Sequence, residues 1–176
     1  MVENGNSRPD GTPSIEQRID NGRIFTIRGI DESGIGDGDT FSVLLTNPSD
    51  SGVNLLTVAP SISVTGEAFI EKIENPTIDT AGETLTPRNK KLESNRTAHG
   101  TAQTGGTNQT GSFSGGTSRG RQIVGGQSSK QAGSVGDIDL SLRIDPGSAI
   151  QYKVESNSSS NIVSVSVAFV EEPTTA

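Results

Sequence analysis

The chain holds one histidine, His99, so imidazole base chemistry has to begin there. A histidine base works when it is held within hydrogen-bond reach of the proton it takes. His99 lies between Ala98 and Gly100, in a stretch rich in Gly, Thr and Asn that supplies no rigid frame. It reads as a solvated surface residue, and no catalytic residue is assigned. Paired carboxylates are the next candidates, at Glu67, Glu71 and Glu74. A glycosidase needs two of them across a cleft. On a strand Glu67 and Glu71 share the solvent face, where charge deters edge-to-edge association. Sugar sites also favour aromatic platforms, and the chain has no Trp and one Tyr.

Asp31, Glu32, Asp37 and Asp39 fall in one Gly-rich loop. Hard oxygen ligands on such a loop suit Ca²⁺, with Asp31, Asp37 and Asp39 as the candidate set. Asp37-Gly38-Asp39 lacks the full spacing and the distal Glu of an EF-hand. A tight turn using Asp and Gly for positive φ is the preferred reading, and no cofactor is expected. Gly115-Gly116, Gly120 and Gly125-Gly126 have no strand before them and no helix after, so they do not make a phosphate cradle. Zero Cys excludes disulfides, thiol catalysis and Cys-bound metal. Asn95, Asn108 and Asn157 begin Asn-x-Ser/Thr triplets, which composition alone explains in so polar a chain. The cluster Arg88, Lys90, Lys91 reads as a solvated loop or as a partner for an acidic neighbour.

The elements that carry these residues must be built from little apolar material. Hydrophobic residues make up 29% of the 176, against roughly 45–50% in ordinary domains. The 22 Gly favour turns over helices. A net charge of −7 repels phosphate backbones, so no nucleic-acid partner is expected. No apolar run approaches the ~18–20 residues of a membrane span. The first residues carry no basic start and no apolar segment, so no secretory signal is expected.

Period-two alternation is the dominant pattern, and side chains on a strand alternate faces. It runs through Ile138, Leu140, Leu142 and Ile144, then Ile150, Tyr152 and Val154, then Val163, Val165, Val167 and Phe169. This predicts a meander of three half-buried strands. Asp145-Pro146-Gly147-Ser148 has the residues of a type II turn between the first two. Upstream, residues 23–30 predict a strand that is covered on both faces or bulged. Thr40–Thr46 and Val53–Val58 flank an Asn47-Pro48 turn and predict a hairpin. One or two more strands follow through Ile73.

The expected architecture is all-β: an antiparallel sandwich, jelly-roll-like, spanning residues 23–172. Residues 1–22 are expected as a flexible arm in which Ser14 caps one helical turn, and 173–176 as a tail. Residues 87–133 are expected as a polar insertion, disordered or projecting as a long hairpin. On the last strand the outward residues Ser164, Ser166 and Ala168 are small and uncharged. They are the interface candidates.

Four stretches in order, FTIRGI, SVLLTNPSDSGVNLLTV, TPRNKKLESNRTAHG and IDPGSAIQYKVESNSSSNIVSVSVAFVEE, resemble β-sandwich surface proteins of tailed-virus virions. The resemblance covers residues 23–172. It implies a homo-oligomeric decoration or turret subunit on the capsid, partnered by the major capsid protein and assembled in the host cytoplasm. It implies no enzyme activity. A tail fibre or receptor-binding subunit that meets a host glycan or protein is the alternative. A carbohydrate-active enzyme or binding module is the third reading.

Overall fold

The computed structural model describes residues 14–125, 133–134 and 142–174. A six-residue helix, α1 (Ile15–Asp20), precedes strands β1 (Ile24–Ile35), β2 (Thr40–Thr46), β3 (Val53–Val64), β4 (Ala68–Glu74), β5 (Thr77–Thr80), β6 (Thr84–Leu85) and β7 (Arg88–Asn89). Then come β8 (Thr101–Gly106), β9 (Ser112–Ser114), β10 (Thr117–Val124), β11 (Gly133–Ser134), β12 (Arg143–Ile144), β13 (Ala149–Ser156) and β14 (Asn161–Pro173). One sheet has the order β11-β3-β14-β1-β7, with β12 also on β3. The facing sheet has the order β10-β4-β13-β2-β8-β6. β5 and β9 form a separate pair. The ladders between these strands are antiparallel, so the chain is an all-β sandwich.

The alternating residues face inward as their spacing requires. Val163, Val165, Val167 and Phe169 are fully buried, and so are Phe41, Val43 and Leu45. Phe169 stacks on Phe25 across the β1–β14 ladder, with centroids 5.7 Å apart. Most of the alternation on β13 and β14 is therefore spent on one shared core. Ile138 and Leu140 lie outside the described residues; Ile144 is buried on β12.

Two expected pairings are corrected. The Asn47-Pro48 turn does not close a hairpin. β2 pairs with β13 and β8, while β3 pairs with β14 in the other sheet. Nor do β12, β13 and β14 form a meander, because each step crosses between sheets. The reason is that alternation fixes which side chains face in, and both strands of a sandwich arch satisfy it as well as a hairpin does. Asn47 marks the first crossing. It is fully buried, and its Nδ2 donates to the carbonyls of Val53 (2.8 Å) and Ile144 (2.9 Å). The Pro-Gly turn itself forms: Gly147 has φ +83 and Ser148 N donates to Asp145 O at 3.0 Å.

β1 is longer than residues 23–30 and bulged, with its register to β14 shifting between Asp31 and Ile35. β3 runs straight through Pro60. The register to β14 shifts there, between Ser166 and Ala168. A proline fits a strand at such a bulge because its missing N–H is not needed in the ladder.

Over its described part the polar segment after Pro87 enters both sheets and does not project as a hairpin, with residues 90–100 irregular between β7 and β8. β8 lies along β2 in a six-residue ladder, and β10 lies along β4. Ala102 and Thr104 turn inward, each 4% exposed. Small residues at period two were enough to enter the sheet, because neighbouring Phe41, Val43 and Leu45 supply the apolar bulk. β10 is held by polar means. Arg121 sits 4.1 Å above the Phe69 ring and pairs with Glu155 at 2.8 Å.

Residues 14–22 are also tied down. Ser14 and Gln17 form the two bonds of a capping box. Arg18 reaches Glu172 at 2.7 Å, and Lys91 Nζ donates to the Asp20 carbonyl at the end of α1. Residues 1–13 lie outside the described residues.

Tyr152 sits in the middle of the core, 1% exposed. Burial pushes its hydroxyl up to about 12, and Thr57 nearby pulls weakly the other way. The hydroxyl itself meets no partner in hydrogen-bond geometry. A folded-state value above the unfolded ~10 means that the folded protein holds this proton longer. Its contribution is intact below pH 10 and is lost as pH rises toward 12, by roughly 2 kcal/mol at pH 12. Urea denaturation across this range should show the decline, and Tyr152→Phe should flatten it. An equal decline in the Phe variant would assign the alkaline loss to other groups.

Candidate functional site: an outer sheet face and a buried glutamate

The interface candidates sit together on the outer face of the first sheet. Register places Ser164 opposite Ser63, Ser166 opposite Ser61 and Ala168 opposite Val58. On the other side Ile30 lies opposite Ser164, and Arg28 opposite Ser166. Ser164 and Ser166 are half-buried, and Ala168 is 9% exposed. Ile30 and Ile162 are exposed at one end of this face, at 41% and 43%. Arg28 is tethered, its Nε donating to Ser164 Oγ at 3.2 Å. The central strand thus presents hydroxyls and methyls with no charge of its own between Ile162 and Val170.

The calcium candidates are not brought together. Asp31 is buried, and its Oδ1 accepts from Ser33 N, Ser33 Oγ and Gly34 N. Its Oδ2 accepts from Gln109 Nε2 at 3.2 Å. Both oxygens serve the β1 bulge and the β8–β9 connection. Asp39 Oδ2 accepts from Gly36 N within the tight turn, where Gly38 has φ +78. Asp37 is exposed. Among the described residues no three acidic or His side chains form a cation-holding group.

The three glutamates also separate. Glu67 takes a bond from the Asn157 amide, Glu74 pairs with Arg119 at 2.7 Å, and Glu71 lies opposite Lys153 and Arg121 in the ladders. The Glu74 carboxylate raises the Arg119 guanidinium above its usual range. The contacts of Glu71 and Glu74 are cross-strand charge pairs on a solvated face.

His99 is better held than its neighbours in sequence imply. Its ring is 46% exposed, yet Nδ1 lies 3.0 Å from Oε2 of Glu171. Glu171 is fully buried. Its Oε1 accepts from the backbone N–H groups of His99 and Gly100, and Arg96 approaches Oε2 at 3.5 Å. A buried carboxylate is tolerated only when its lone pairs are so used. A carboxylate-oriented imidazole is half of a nucleophile-activating set. Among the described residues no Ser or Thr hydroxyl bonds the ring to complete one. Sequence alternation missed Glu171 because it breaks the pattern: Val167 and Phe169 predict an inward residue at 171, where a carboxylate stands. That departure was the available signal.

No protein-family model and no curated protein matches the chain. Among the described residues no helix is long and apolar enough to cross a membrane.

Proposed function

We propose that the chain is a non-enzymatic structural subunit of a tailed-virus virion, a capsid decoration or turret protein that acts by homo-oligomeric assembly. The observation that carries this reading is the uncharged outer face of β14, flanked by serines of β3 and by exposed Ile30 and Ile162. Small side chains let a second surface approach closely, and a few exposed isoleucines give it apolar area to bury. The strand order supports the jelly-roll reading of the fold. β12-β3-β14-β1 faces β10-β4-β13-β2, and successive long strands from β1 to β4, and again β13 and β14, alternate between the sheets. Double-sheet jelly rolls recur in capsid domains.

Light scattering after size exclusion tests the reading. The protein should form a defined oligomer at micromolar concentration. Ser166→Arg should weaken assembly at least roughly tenfold, by placing a second cation beside Arg28 on a closely packed face. A stable monomer at high concentration defeats the proposal. Unchanged assembly of a folded Ser166→Arg variant removes this face from the interface.

A further inference from the structure

The free edge of β1 ends in a groove. β7 pairs with β1 only at Phe25 and Thr26. From Ile27 onward, among the described residues, no strand lies on that side. The direction of the backbone groups follows from the two ladders. Lys90 N donates to Ile24 O on the β7 side, whereas Glu171 N donates to Arg23 O on the β14 side. Peptide groups alternate sides along an antiparallel strand, so those of Thr26 meet Arg88 of β7 and those of Arg28 and Ile30 face the free edge. Thr26, Arg28 and Ile30, with Glu32, line one wall of an open cavity of about 680 Å³. Thr84, Leu85, Thr86 and Arg88 form the opposite wall, where the chain crosses from the second sheet to the first. Thr26 Oγ1, at the head of the groove, is buried without a partner.

The geometry points to this groove as a docking site for one extended peptide strand that carries a carboxylate, added antiparallel or parallel to β1 in line with β7. An unpaired sheet edge supplies backbone donors and acceptors in register, and alternate pockets select side chains. The bulge after Asp31 ends the usable edge, leaving about five residues or ~17 Å of strand. Charge selects the occupant. Arg28 and Arg88 border the groove against one carboxylate, Glu32 at its far end, and among the described residues neither arginine pairs with a carboxylate. A guest residue opposite Arg28 shares its outer face, so an acidic side chain fits there. Guest residues opposite Ile27 and Gly29 face inward, beside Ile27 and partly buried Leu85, so aliphatic side chains fit those. The guest reads apolar–acidic–apolar. This inference does not depend on the virion reading.

A capped peptide Val-Glu-Val-Thr-Val, titrated into the full-length protein by calorimetry and amide NMR, tests it. Saturable binding below about 1 mM is expected, with shifts concentrated at Thr26–Glu32. Methylating the peptide nitrogens that face β1 should abolish binding, since strand addition rests on those bonds. Arg28→Glu should weaken binding roughly tenfold and favour the Val-Lys-Val-Thr-Val peptide instead. Equal binding of the N-methylated peptide, or shifts confined elsewhere, overturns the proposal. So does the absence of saturation at about 5 mM while the protein remains folded by circular dichroism. A dimer that Arg28→Glu disperses, with no peptide binding, reassigns the edge to a second copy.

Discussion

Glu171→Ala is expected to lower stability by about 3 kcal/mol in urea denaturation at neutral pH. The carboxylate is fully buried and accepts from two backbone N–H groups, His99 and Arg96. Removing it strands the N–H groups of His99 and Gly100 beside Phe169, where a solvating water has little room: a Cβ at Gly100 would already lie 2.9 Å from Leu55. Arg96 and His99 are part-exposed and regain water, which keeps the loss below that of a wholly buried pair. Glu171→Gln retains one acceptor oxygen and should lose about half as much. Hydrogen exchange in residues 94–100 should accelerate in both variants more than in β13. A loss under about 1 kcal/mol for the Ala variant would falsify the view that this carboxylate anchors the segment entering β8.

Asn47→Asp should be worse than Asn47→Ala, an ordering that size alone does not give. The Ala variant takes the amide donor from two buried carbonyls, of Val53, which keeps Ser51 Oγ at 3.1 Å, and of Ile144. It also removes an Oδ1 that is buried without a partner, which offsets part of the loss. About 2 kcal/mol is the expected cost. The Asp variant keeps the shape but turns an oxygen toward those carbonyls and buries a charge. It should cost about 4 kcal/mol or more near pH 7, and recover partly toward pH 4 as the carboxyl protonates. Chemical denaturation of both variants at the two pH values reads the difference. Equal stabilities would show that Asn47 does not hold the corner through its amide.

These residues also show where the sequence was readable. The inward faces of β2, β13 and β14 were legible because a period of two over three or more apolar residues has one physical solution, a strand with one buried face. The Pro-Gly turn was legible because its φ values are chemical properties of Pro and Gly. The Ser14 cap was legible for the same local reason. The entry of β8 into a sheet was not, because Ala102 and Thr104 bring almost no apolar area and borrow it from β2. The role of His99 was hidden because its partner lies 72 residues away. Asp31 was placed in a loop with other acids, and distance again decided: its outer oxygen is taken by Gln109, 78 residues on.

The sequence by itself determined that this is an all-β chain with a small aliphatic core, which apolar side chains of β2, β13 and β14 enter that core, and where the Pro-Gly turn falls. These are local properties, set by dihedral preference and by the two-residue repeat of a strand. Tertiary structure alone decided which strands are neighbours. Asn47 makes an arch of what reads as a hairpin, and the crossing from β13 to β14 divides what reads as a meander. It also decided that the outer serines of β3 and β14 share one face and that, among the described residues, the edge of β1 is left open. Pairing is chosen by the packing of two sheets against each other, and no single strand carries the information about the sheet it will join.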